Sequence, residues 1–184
     1  MVRHTTYIHT HGISYAVTRS FHIICALFAL FLFWGLALNA SEGVPILSMI
    51  HIVLLFLLSL AGAVYRDSWD FDTEMNTVTS TYGFAWMCKR EQYAFDEVER
   101  LELTHFVRGR RENDAKPTKR KFRAMIVFSL RLTDDQLKTI EIIAEKTSGG
   151  RTESAMQAIG AVSGLPLYVD RPRDMDLNVS YKDL

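Results

Sequence analysis

FHIICALFALFLFWGLALNA, residues 21–40, and VPILSMIHIVLLFLLSLAGAVY, residues 44–65, decide the fold, because neither run carries a formal charge and only Ser41, Glu42 and Gly43 separate them. At about 1.5 Å per residue in a helix, a run of about twenty residues reaches about 30 Å, the thickness of a bilayer's hydrocarbon. Pro45 suits the first turn of the second helix. Two apolar helices joined so tightly predict an antiparallel membrane hairpin. The alternative for the first run is a cleaved signal peptide, since Leu38-Asn39-Ala40 loosely resembles a cleavage site. Against it, the apolar run exceeds the roughly 7–15 residues of a signal core, and the leader before it is long and only weakly basic.

Outward from the hairpin the chemistry changes abruptly. All but two of the 21 Lys and Arg residues, and all but one of the 21 acids, lie from Arg66 onward, so a net charge of +0 conceals an apolar front and a charged back. That balance predicts no nucleic-acid partner. Arg3 and Arg19 precede the first run, Arg66 follows the second, and the link between the runs has no Lys or Arg. The positive-inside rule then predicts a two-pass protein of the cytoplasmic (inner) membrane with both termini in the cytoplasm.

Residues 1–20 read as a cytoplasmic leader, flexible or lying on the surface. His4, His9 and His11 are metal-type ligands, but no acid or cysteine stands near them in the chain, and no metal or other cofactor is expected. Cys25 and Cys88 are too few for a disulfide framework and permit a reduced compartment. Within the second run, His51 is an intramembrane polar residue, open to an interhelical hydrogen bond, a proton or metal or haem site, or a plain packing or interfacial role. The small residues Ser59, Gly62 and Ala63, with Gly35 opposite, predict close approach of the two helices or of a partner helix.

From residue 66 to residue 170 short runs of period-two alternation are separated by turn residues, which predicts antiparallel β structure. Trp69 and Phe71 alternate with Asp70 and Asp72, and the β-forming stretch 77–82 follows as the second arm of a hairpin. The stretch 84–88 and residues 91–103 add further strands. Residues 124–132 and 138–144 flank Thr133, Asp134, Asp135 and Gln136 as a hairpin, with Ile126, Phe128, Leu130, Ile140 and Ile142 available for a core. Thr152 is placed to cap a helix whose Ala155, Met156, Ile159 and Val162 share one face, stopped by Gly164 and Pro166. Six or seven strands followed by one helix predict a half-open antiparallel barrel capped by a C-terminal helix. Residues 171–184 read as a polar tail.

Two membrane helices, a first hairpin, the Phe95-Asp96-Glu97-Val98 step into a strand, and a final helix ending Gly164-Leu165-Pro166-Leu167 together resemble small bacterial two-helix membrane proteins with a pleckstrin-homology-like (PH-like) domain. The resemblance spans most of residues 21–167 and rests on order and spacing. It implies a PH-like fold for residues 66–170. The long basic segment at 108–123 departs from the compact pattern of that family.

That segment, RGRRENDAKPTKRKFR, is the most informative polar feature. Arg108, Arg110, Arg111, Lys116, Lys119, Arg120, Lys121 and Arg123 would attract anionic lipid at a membrane surface by about 1 kcal/mol each, or contact a partner, or simply be solvated. No phosphate-cradling glycine loop, nucleophile elbow, paired-histidine zinc helix or cysteine cluster is present, and no catalytic residue is expected. Asp134 and Asp135 fit turn propensity rather than a carboxylate pair. The expectation is a membrane-anchored binding or scaffold protein, an accessory or assembly subunit beside an integral membrane protein or a second copy. Its alternatives are an anionic-lipid sensor working through the basic segment, and a subunit lending His51 to a proton or cofactor site.

Overall fold

The computed structural model describes residues 3–108 and 123–170. In chain order these form β1 (His4–His9), β2 (Gly12–Val17), α1 (Arg19–Ser41), a 3-10 turn (Ile46–Met49), α2 (Ile50–Val64), β3 (Tyr65–Asp72), β4 (Thr77–Phe84), β5 (Met87–Ala94), a second 3-10 turn (Phe95–Glu97), β6 (Val98–Arg108), β7 (Arg123–Leu132), β8 (Leu137–Ala144), α3 (Glu145–Ser148), α4 (Arg151–Ser163) and β9 (Leu167–Asp170). The strands make two open sheets, one ordered β1-β2-β3-β4-β5 and the other β8-β7-β6-β9. The chain divides into two units.

The first unit takes the described residues of Met1–His9, Ser14–Asp70 and Thr79–Gln92. Its helices α1 and α2 pack as a hairpin. Ala29, Leu32 and Ser59 are buried, and Phe33 meets Phe56 at 6.1 Å between ring centroids. Leu27, Phe31, Trp34, Leu54 and Leu58 instead face outward, each at least 60% exposed. An apolar surface of that extent is costly in water at about 25 cal/mol per Å². With mean hydropathy 2.4 each, the segments Arg19–Ser41 and Leu47–Val64 are long and apolar enough to cross a membrane. Pro45 lies outside α2. It stands just ahead of the 3-10 turn, which carries the chain into the helix.

The leader is not a free segment. β1 and β2 form a hairpin at one side of the five-stranded sheet. Ile13, Tyr15 and Val17 alternate along β2 and are all buried, a period that makes the stretch a half-buried strand. In this unit the hairpin also braces the start of α1: Arg19 N donates to Tyr7 Oη at 3.0 Å and the Arg19 guanidinium lies 4.9 Å from the Tyr7 ring centroid. A cation at a helix N-terminus opposes the macrodipole, and the ring face offsets that cost.

The second unit takes the described residues of Thr10–Ile13, Phe71–Val78 and Tyr93–Leu184. β6 and β7 are antiparallel, with Leu103 opposite Phe128, and stay paired out to Arg108 opposite Arg123. β8 continues the ladder beside β7 as the expected hairpin. Leu101, Leu103, Ile126, Phe128, Leu130, Ile140 and Ile143 form its buried face, whereas Ile142 is exposed on the other. α4 buries Ala155, Met156 and Ile159 but leaves Val162 exposed, and it ends at Gly164 in the left-handed conformation, φ +72°. The chain then returns as β9, parallel to β6, with Leu101 opposite Leu167.

Thr152 does not cap α4. Gly150 occupies the N-cap position, in the left-handed conformation that two glycines make easy. Buried in the first turn, the Thr152 hydroxyl accepts from Ser148 Oγ at 2.9 Å and donates to Glu141 Oε2 at 3.1 Å, tying α4 to β8. Thr152→Val should cost about 1–3 kcal/mol, because an isostere without the hydroxyl leaves the buried Ser148 donor without this acceptor and removes the tie to Glu141. Thermal unfolding of the full chain in detergent checks this, with Thr152→Ser expected to recover most of the loss.

Candidate functional site

In the first unit, polar side chains line an open cleft at the point where α2 passes into β3. A cleft of about 380 Å³ is lined by His22, Ala63, Val64, Tyr65, Arg66 and Ala85. α1 supplies His22, the end of α2 supplies Ala63 and Val64, and the turn between β4 and β5 supplies Ala85. That turn is pinned to the helix end, since Ala85 N donates to Val64 O at 3.0 Å. Tyr65 Oη donates to Asp67 Oδ2 at 3.3 Å, and its ring packs on Tyr82 and Phe84 at 5.9 and 5.4 Å. Burial, followed by the nearby Asp67 carboxylate, holds the Tyr65 hydroxyl above its ordinary range, so it acts as a neutral donor. An imidazole and a guanidinium stand at this opening, while the Tyr65 hydroxyl is already engaged by the Asp67 carboxylate.

Of the eight basic residues at 108–123, Arg108 and Arg123 end the β6–β7 ladder opposite one another. Arg110, Arg111, Lys116, Lys119, Arg120 and Lys121 lie outside the described residues, as does the tail at 171–184. His51 is in the first turn of α2 and exposed. No hydrogen bond or ion pair of its side chain is seen among the described residues. Ser59 is buried and turns its hydroxyl back to Leu55 O at 2.8 Å, satisfying itself within the helix.

Gly62 is the close contact between the helices: a Cβ there would stand 2.9 Å from Cys25 Sγ and 3.6 Å from the Phe21 ring. Ala63 lines the cleft instead. Gly35, expected to face the small residues, has open space where its Cβ would be and only lends its carbonyl to Asn39 Nδ2 at 2.8 Å. Gly62→Leu should therefore spread the helix pair and destabilise by roughly 1–3 kcal/mol, while Gly35→Leu should be neutral or mildly stabilising. Thermal unfolding of both variants in one detergent distinguishes them.

The leader histidines are neither bare nor clustered. His4 lies 3.2 Å from Asp67, His9 is 3.0 Å from Asp70, and His11 pairs with Glu74. His4 also stacks on Tyr15 at 5.3 Å. The sequence offered no acid near these histidines because their partners come from about sixty residues further on. Among the described residues no three His, Cys, Asp or Glu groups converge as metal ligands.

Elsewhere the polar residues hold strands together. Asp134 accepts from Gln136 N at 3.1 Å and Asp135 pairs with Arg131 at 2.9 Å, as turn residues do. Arg100 and Arg131, opposite each other in register, are bridged by Glu99 and Glu102. The Asp135 hydrogen bond is the main influence raising the Arg131 pKa.

Sequence reasoning missed both the leader hairpin and the β4–β5 turn. Apolar Ile13, Tyr15 and Val17 at alternate positions were the available signal for the first, whereas the second falls in a β-forming aromatic run, Phe84-Ala85-Trp86, that carries no turn residue. Comparison with protein-family models, curated proteins and solved structures found no match for this chain.

Proposed function

We propose that the chain is a membrane-anchored binding or scaffold protein, an accessory or assembly subunit of a membrane complex. In this reading α1 and α2 cross the cytoplasmic membrane with both termini in the cytoplasm, beside an integral membrane protein or a second copy, and the β region is a PH-like domain that holds a partner. The observation that carries it is the outward apolar surface of both helices, which the described residues leave uncovered. The outward placement of His51 supports a neighbour, because lipid tails offer an imidazole no hydrogen-bond partner. The succession of antiparallel strands followed by α4 supports the PH-like assignment.

A second reading, sensing of anionic lipid through the basic segment, is favoured by the ladder that stays in register to Arg108 and Arg123 and so brings the two basic residues at its bounds opposite one another. Extraction from native membranes into nanodiscs, followed by mass spectrometry, separates the readings. A stoichiometric membrane protein is expected. Bound anionic lipid without a protein puts the second reading first, and recovery in the soluble fraction without detergent rejects both.

A further inference from the structure

Trp86 is 90% exposed and Met87 71%, at the tip of the β4–β5 hairpin, with Phe84 and Tyr82 beside them at 44% and 57%. A soluble surface seldom shows so many large apolar groups together without something to cover them. Their display is built in. Gly83 lets the strands close, since a Cβ there would stand 2.3 Å from Met87 O. Ala85 takes φ +48°, a left-handed conformation unfavourable for a residue with a Cβ. The hydrogen bond from Ala85 N to Val64 O fixes this tip at the last residue of α2. Trp86 is thus one residue from a contact with the end of an apolar helix, and Arg66 and Arg90 are exposed on the adjoining strands.

We propose that the β4–β5 turn is a membrane-interface anchor: Trp86 and Met87 lie at the boundary of headgroups and acyl chains in the leaflet where α2 ends, with Arg66 and Arg90 available to anionic headgroups. This rests on the membrane-spanning reading of α1 and α2. Continuity with the helix end selects the bilayer as occupant, because the tip is held at the depth where the apolar run stops and charge begins. An indole with an apolar body and a polar N–H favours that layer, and basic groups at its edge complement anionic lipid.

Tryptophan emission of the full chain in phosphatidylcholine–phosphatidylglycerol nanodiscs tests it. Trp34→Phe and Trp86→Phe, singly and together, change exposed positions and leave the buried Trp69 in place. Subtracting the double variant's signal from each single variant's isolates Trp86 and Trp34 in turn. The expected result is severalfold quenching of Trp86 by lipids brominated on shallow acyl carbons, with little quenching by aqueous iodide. Full iodide quenching of Trp86 while Trp34 responds to brominated lipid overturns the anchor and keeps the membrane reading. No response of Trp34 to brominated lipid overturns both. Shielding of Trp86 from iodide only in native membranes, not in nanodiscs, assigns the tip to a protein and rejects the lipid occupant.

Discussion

Replacing Gly12 by alanine is expected to lower the thermal midpoint of the full chain in detergent by roughly 5–15 °C, about 2–4 kcal/mol at a few degrees per kcal/mol for a protein of this size. Gly12 sits at φ +155°, and a Cβ there would come within 2.0 Å of Phe71 O. The obstacle is backbone, so no rotamer relieves it. Nor can the turn drift away, because Thr73 N and Thr73 Oγ1 both donate to His11 O, at 2.8 and 2.9 Å. Phe71 itself is wholly buried, so its strand has no free direction in which to yield. His11→Ala serves as the control: it removes only an exposed side-chain pair with Glu74 and should move the midpoint little. A Gly12→Ala midpoint indistinguishable from that control would show that this turn does not hold the leader in place.

Phe128→Ala should cost about 3–5 kcal/mol, the range for emptying an aromatic site in a packed core. Phe128 is 0% exposed in the middle of β7, between Leu103 of β6 and Glu141 of β8 in register. α4 buries Met156 and Ile159 in the same unit, so the surroundings are held by a ladder and a helix that resist collapse into the void. Phe128→Leu retains most of the volume and should cost less than about 1.5 kcal/mol. Denaturant titration of both variants, followed by far-ultraviolet circular dichroism, measures the difference. Equal losses would mean that the site repacks freely, contrary to its full burial.

The same residues show how far each element was legible. The β7–β8 hairpin follows from the alternation of Ile126, Phe128 and Leu130 against turn residues, and its inner face came out as expected except at Ile142, which a register irregularity near Phe128 and Ser129 leaves exposed. The basic stretch 108–123 reads as a loop, but its first and last residues, Arg108 and Arg123, are paired strand ends, and the residues between them lie outside those described. Gly62 and Gly35 are equally small, yet Gly62 meets the opposite helix and Gly35 does not. Smallness alone does not say which face of a helix is covered. The leader reads as a flexible segment by its polar composition, whereas Ile13, Tyr15 and Val17 place β2 in a sheet.

Sequence by itself determined the two long apolar helices, the strand-rich character of the rest and the amphipathic final helix. Each is a property of residues that are neighbours in the chain, through summed hydropathy, period-two alternation and three- and four-residue spacing. Tertiary structure alone decided that the leader joins a sheet, that His4, His9 and His11 meet Asp67, Asp70 and Glu74, that β9 returns parallel to β6, and that Ala85 is tied to Val64. Those pairings join residues far apart in sequence, where burial and unsatisfied backbone groups select the partner and no local pattern names it.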